Sequence, residues 1–137
     1  MQKEFISYEQ ALELKELGFD EPCLAWYNTK GVLLSDITIC YDNSDFLYSL
    51  DDMDDGSQCI APTFSQAFRW FREKYHLIGG IEYIGGEKPE TTWWDIYVVS
   101  HFNIDSKKMT MKYQPYEQAE LACLKKLIEI VKQPKKN

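Results

Sequence analysis

TFSQAFRWFREKYHLIGGIEYIGG, residues 63–86, changes its hydrophobic period partway along. Phe64, Ala67, Phe68, Phe71 and Tyr75 stand at i, i+3, i+4, i+7 and i+11, the spacing that lines one face of an α-helix. Thr63, with Gln66 three residues on, has the form of a capping box and starts that helix. Residues 80–84 then read as a strand, closed by Gly85-Gly86 and Pro89, and both Gly79-Gly80 and Gly85-Gly86 read as turns flanking it. Trp70 lies about 120° from the centre of the helical stripe at 100° per residue, so it needs a second apolar layer or stays in water. The N-terminal segment is the expected layer.

Toward the C-terminus, 93–102 and 109–113 are two further strands, with Asn103-Ile104-Asp105-Ser106 as the turn between them. A last helix covers about 116–132, and Pro134 ends it. The order from Thr63 is therefore helix, three-stranded antiparallel meander, helix, an α+β arrangement. Toward the N-terminus, Ser7 with Gln10 opens a first helix and Gly18 stops it. Tyr8, Ala11, Leu12 and Leu14 form its expected buried arc, and Glu9, Glu13 and Glu16 a solvated stripe. Residues 23–34 read as a hairpin around Asn28-Thr29-Lys30-Gly31, 37–41 as a third strand, and 42–57, with six aspartates, as a long loop. The two outer helices open alike, YEQALELKEL from Tyr8 and YEQAELACLKKL from Tyr116.

The 137 residues suit one domain, 1–137, made of an acidic α-β-β segment (1–62) and the αβββα unit (63–134). A chain of this length buries roughly two thirds of its unfolded surface, enough for a core without crosslinks. The net charge of −7 is uneven: 13 acidic residues and 3 lysines up to Pro62, then 9 acidic and 12 basic residues. Such a charge repels phosphate backbones at long range, so nucleic-acid binding would need a local basic patch. Cys23, Cys40, Cys59 and Cys123 form no CxxC pair and follow no secretory signal, which predicts reduced core thiols in the cytoplasm. Every apolar run is far shorter than the roughly 18 residues of a membrane span, so no membrane association is expected.

The residues that carry chemistry elsewhere lack the necessary spacing here. Asp51-Asp52-Met53-Asp54-Asp55-Gly56 resembles a calcium loop, but in that register Met53 takes the third position and Pro62 the twelfth, both ligand positions. His76, His101 and the cysteines stand at no metal-ligand spacing, and the glycine pairs lie in no phosphate-binding motif. No cofactor, metal or catalytic residue is expected. Aromatic side chains offer more. Trp93, Asp95, Tyr97 and Val99 alternate with Trp94, Ile96, Val98 and Ser100 on the two faces of one strand. Helices covering one face leave the other for contact unless the first 60 residues cover it. Trp70, Tyr83, Trp93, Trp94 and Tyr97 are the candidate interaction surface.

From Thr63 onward, over roughly 70 residues, the chain resembles double-stranded-RNA-binding domains in element order and in its final helix. Ala119 matches that family's motif alanine, Ala122 and Cys123 its small positions, and Leu127, Ile128, Ile130 and Val131 its aliphatic end. FRWFREKYHL resembles the family's first helix and Ile81-Glu82-Tyr83 its first strand. The three lysines that the family aims at phosphates are Tyr116, Glu117 and Glu120 here, and the loop at Gly85–Glu90 lacks the family's histidine. The resemblance implies the fold without the RNA binding, because duplex RNA is held largely by phosphate and 2′-hydroxyl contacts. QAFRWFREKYHL and YEQAELACLKKLIEIV also resemble a group of short bacteriophage and mobile-element proteins without an assigned activity. The expected function is a non-catalytic protein-interaction module, an accessory factor of a phage or prophage that binds a host protein. The alternatives are a nucleic-acid binder using Arg69, Arg72, Lys107, Lys108 and Lys112, and an enzyme of unknown type.

Overall fold

The structure is a computed structural model that describes residues 2–35, 58–100 and 103–133. The expected strand at 37–41 and the aspartate-rich loop at 42–57 lie outside the described residues. The class is mixed α+β, with three α-helices and two small antiparallel sheets among the described residues. The chain groups into two compact units, Met1–Gln66 and Ala67–Asn137, close to the change of charge after Pro62.

In the first unit, helix α1 spans Tyr8–Glu16. Ser7 Oγ accepts from Gln10 N at 3.2 Å, as the capping pattern requires. Gly18 ends the helix at φ 93, with Gly18 N donating to Lys15 O and Phe19 N to Leu14 O. These two bonds are a Schellman closure, which needs a left-handed residue and so favours glycine. The buried arc differs in part from the expected one. Ala11 and Leu14 are buried together with Gln10, whereas Tyr8 and Leu12 are half-buried. Lys15 Nζ donates to Gln58 O at 2.7 Å, so its stem lies along the unit while its charge meets a carbonyl.

The expected hairpin is present as β1 (Ala25–Tyr27) and β2 (Leu33–Leu34), paired Trp26 to Leu34 and Tyr27 to Leu33. Its turn is held by Asn28, whose Oδ1 accepts from Lys30 N at 2.9 Å and Val32 N at 3.0 Å. The third strand is β3 (Cys59–Ala61), which pairs with β1 from Ala25 to Tyr27. Sequence alternation gave no sign of it, because all three of its residues are buried and there is no alternation to read. Tyr27 Oη donates to Ile6 O at 2.6 Å, giving the buried phenol the partner it needs.

Helix α2 spans Phe64–Tyr75, and Thr63 Oγ1 accepts from Gln66 N at 3.2 Å at its start. Within the second unit, β4 (Leu77–Gly85), β5 (Trp93–Ser100) and β6 (Asn103–Tyr113) form an antiparallel meander in the order β4-β5-β6. Helix α3 (Tyr116–Lys132) packs on it through Ala119, Cys123 and Leu127, and Leu124 and Ile128 are buried as well. Two expectations fail here. Gly79-Gly80 is not a turn but lies inside β4, for a packing reason given below. Asn103-Ile104-Asp105-Ser106 is not a turn either, since β6 begins at Asn103 opposite Ser100. A polar, lysine-containing strand is normal at a sheet edge, where charge discourages pairing with other chains.

Candidate functional site

Two glycines identify the faces of the second sheet. A Cβ on Gly79 would stand 2.9 Å from both Cys123 Sγ and Leu127 Cδ1, so that side of β4 lies directly under α3. A Cβ on Gly80 would fall on the Tyr97 ring, which lies across its own register partner on the other side. Each glycine leaves room for a close approach that any side chain would block. By alternation and register, Gly79 with Val98, Ile81 with Ile96, and Tyr83 with Trp94 share the α3 face. Ile78 with Val99, Gly80 with Tyr97, and Glu82 with Asp95 share the opposite one. Ile96, Ala119 and Cys123 form the core between sheet and helix, with Phe68, Ile81, Trp94, Tyr113 and Ala122 packed against it.

The five anticipated aromatic residues therefore separate. Trp70 is only 4 % exposed; its ring meets Phe71 at 5.1 Å and Tyr75 at 5.4 Å, with Lys74 Nζ 5.0 Å above it. Burial removes Trp70 from any contact surface and keeps it as packing. Tyr97 belongs to the face away from α3, as Trp93 does by alternation, and Trp93 is 40 % exposed. Tyr83 and Trp94 sit on the α3 face near the hairpin end, Tyr83 being 54 % exposed and Trp94 half-buried.

Register and helix α3 bring further rings to Trp94. Tyr83 stands beside it on β4 at 5.7 Å and 69°, and Tyr113 is its partner on β6. Tyr116, in the first turn of α3, meets Trp94 at 4.9 Å and 82°. The resulting ledge has three elements behind it and two exposed ends, for Tyr116 is 41 % exposed. Sequence reading missed Tyr116 as a surface residue, since only the hairpin register shows which rings share its end of the sheet.

The β4–β5 connection is held against the same end. Tyr83 Oη donates to Gly86 O, and Gly86 adopts φ 119, where an added Cβ would meet the Thr91 carbonyl. Thr92 Oγ1 donates to Lys88 O at 2.8 Å, while Gln114 Nε2 donates to Glu90 O at 2.7 Å and Thr92 O at 3.0 Å. Glu117 lies in the first turn of α3 and Glu120 four residues after Tyr116, on the same side of the helix. Burial pushes the Tyr116 phenol above its usual pKa, and the charges of Glu120 and Cys123 add to the rise.

The alternative basic set is spread over two elements. Arg69 and Arg72 are exposed on α2 and Lys112 is exposed on β6, where Lys107 pairs with Val98 and Lys108 with Tyr97. The described thiols are buried, which pushes Cys23 and Cys123 up to about 12 and Cys59 up to about 11. Glu21 raises Cys23 further, whereas Lys15 acts against the rise at Cys59 and a bond to Gly80 against that at Cys123. His76 ends α2 in a left-handed conformation at φ 56. His101 and the aspartates at 51–55 lie outside the described residues. Among the described residues, no group of three or more His, Cys, Asp and Glu side chains is placed to hold a metal ion. No protein-family model, curated protein or solved structure matches the chain. Among the described residues, no helix is long and apolar enough to cross a membrane.

Proposed function

We propose that the chain is a non-catalytic protein-interaction module that works in the cytoplasm and engages its partner through the end of the β4–β5 hairpin. The observation that carries this reading is the exposure of Tyr83, Ile84 and Trp93 at one end of the β4–β5 hairpin, Tyr83 on the α3 face and Trp93 on the opposite one. Apolar side chains exposed singly need no explanation, but several large ones gathered at one hairpin end are the make-up of an interface. Tyrosine and tryptophan are also the residues that most often anchor one. The state of the described thiols, Cys23, Cys59 and Cys123, supports the non-catalytic part. Cysteines buried and held well above neutral pKa stay protonated and are poor nucleophiles. The likeness of QAFRWFREKYHL and YEQAELACLKKLIEIV to small bacteriophage proteins supports an accessory role in a phage or prophage, with a host protein as partner.

Capture from host lysate with the wild-type chain and with Trp93→Ser/Ile84→Ser tests the reading. Both side chains are exposed, so the variant should melt within a few degrees of wild type and lose the captured partner. Undiminished capture by a folded variant would refute the hairpin as the contact surface.

A further inference from the structure

We propose that the free edge of β4 takes up an extended segment of the partner protein as a fourth strand of the second sheet. The inference rests on the interaction-module reading above and gives that contact its geometry.

The first observation is which backbone groups face the edge. Cys123 Sγ stands 3.7 Å from Gly80 O and 3.9 Å from Tyr97 O. One sulfur reaches both carbonyls because both point into the space between β4 and β5, which makes Gly80 and Tyr97 a hydrogen-bonded pair of the ladder. Such pairs alternate with non-bonded ones, so Ile81 opposite Ile96 is of the second kind. Ile96 N agrees, since it donates to Asp95 Oδ1 at 2.8 Å. Gly79, Ile81 and Tyr83 therefore turn their N–H and C=O groups away from β5, toward the side where the order β4-β5-β6 ends. Among the described residues, no backbone hydrogen bond from outside the sheet reaches these groups.

Second, the edge lacks the usual protection. Natural edge strands are short, charged, bulged or interrupted by proline, because bare ones pair with other chains. The other edge, β6, carries Lys107, Lys108 and Lys112. β4 runs nine residues without proline and with Glu82 as its one charged residue. Its bulge comes at the far end, between Tyr83 and Gly85. A row of outward main-chain donors and acceptors is complementary to an extended backbone, which supplies the same groups in the same spacing.

Third, Tyr97 reaches the same edge. The place that a Gly80 Cβ would take is filled by Tyr97 Cζ and Oη, so the phenol crosses from β5 to lie over the outermost strand. A segment laid along β4 meets this hydroxyl and the exposed Ile78 on one face, a polar and an apolar contact two residues apart. The charge of −7 on each chain opposes a second copy as the occupant. Two folded copies meeting along one edge would also make a smaller contact than the roughly 1,200 Å² of a stable dimer.

The test uses the full chain and peptides of about ten residues, the length of a long strand, selected on it from a phage-displayed random library. Amide exchange is followed residue by residue by NMR. In the free chain the amides of Gly79, Ile81 and Tyr83 should exchange about tenfold or more faster than those of Ile78, Gly80 and Glu82, which face β5. A selected peptide should slow the first set about tenfold or more and leave the second as it was. N-methylation of the peptide at alternate residues should abolish binding in one frame and spare it in the other. Tyr83→Pro removes one outward N–H at an exposed edge position and should weaken the peptide roughly threefold or more. Tyr83→Leu keeps that N–H, loses the ring, and should weaken it less. Outward amides already protected in the free chain, or peptides that bind without protecting them, overturn the added strand, as does a selection that yields no binding peptide. Protection that grows with the concentration of the chain alone overturns the partner segment in favour of a second copy. Should the Trp93→Ser/Ile84→Ser variant lose its captured partner in any of these cases, the interaction reading survives.

Discussion

Trp70 and Trp94 belong to the same unit, yet their surroundings assign them different work. Trp70 has Phe71 and Tyr75 edge-on to it and is sealed from water, so its energy is that of packing. Replacing it with alanine should cost about 3–5 kcal/mol in a urea or thermal melt, the range for deleting a buried large aromatic. A loss under about 1 kcal/mol would mean that the site is solvated. The thiols give a second prediction at this scale. An unfolded cysteine loses its proton near pH 9, whereas Cys23, Cys59 and Cys123 hold theirs to about 12, 11 and 12. Their contribution is therefore intact below pH 9 and falls as pH rises above 9, for Cys23 and Cys123 by up to about 1.4 kcal/mol per pH unit each until about 12, and for Cys59 less and only until about 11. Denaturation midpoints at pH 8 and pH 10.5 should show the fall, and Cys123→Ala should make it shallower. An unchanged slope in that variant would place Cys123 in contact with solvent.

At the scale of elements, what could be read from the sequence follows how strongly each element repeats a pattern. Helix α2 was legible from its spacing and α1 from Ser7, Gln10 and Gly18, because caps and periodicity are local properties. Strand β3 was not legible, being three residues long and buried throughout. The start of β6 was misplaced because polar residues of an edge strand look like a turn when the neighbouring strand is unknown. Gly79-Gly80 misled for a related reason. The need for glycine comes from α3 on one face and Tyr97 on the other, and neither is visible along the chain. The candidate site was legible in part. Tyr83, Trp93 and Trp94 could be picked out as strand aromatics, but their division between faces and the arrival of Tyr116 depend on register and on helix placement. Gly79→Val tests the close approach of α3. Valine suits a strand, but here its side chain would overlap Cys123 and Leu127, so it should cost about 1–3 kcal/mol in a thermal melt. The exposed neighbour Ile78→Val should change stability by less than about 0.5 kcal/mol. Equal stability of the two variants would contradict the packing of α3 on β4.

At the scale of the whole molecule, a net charge of −7 disfavours polyanions at long range. A duplex RNA of about 20 base pairs should show no shift at physiological salt; binding below about 1 μM that weakens steeply with salt would instead favour the basic set at Arg69, Arg72, Lys107, Lys108 and Lys112. The measurement that most directly tests the β4–β5 hairpin as the contact surface is site-specific photo-crosslinking in the native host. A benzophenone amino acid replaces in turn Trp93, Ile84, Glu9 on α1 and Arg72 on α2, all exposed positions. One discrete heavier adduct is expected from positions 93 and 84 and none from 9 or 72. Adducts of equal yield from all four positions, or an adduct from 72 alone, would contradict it.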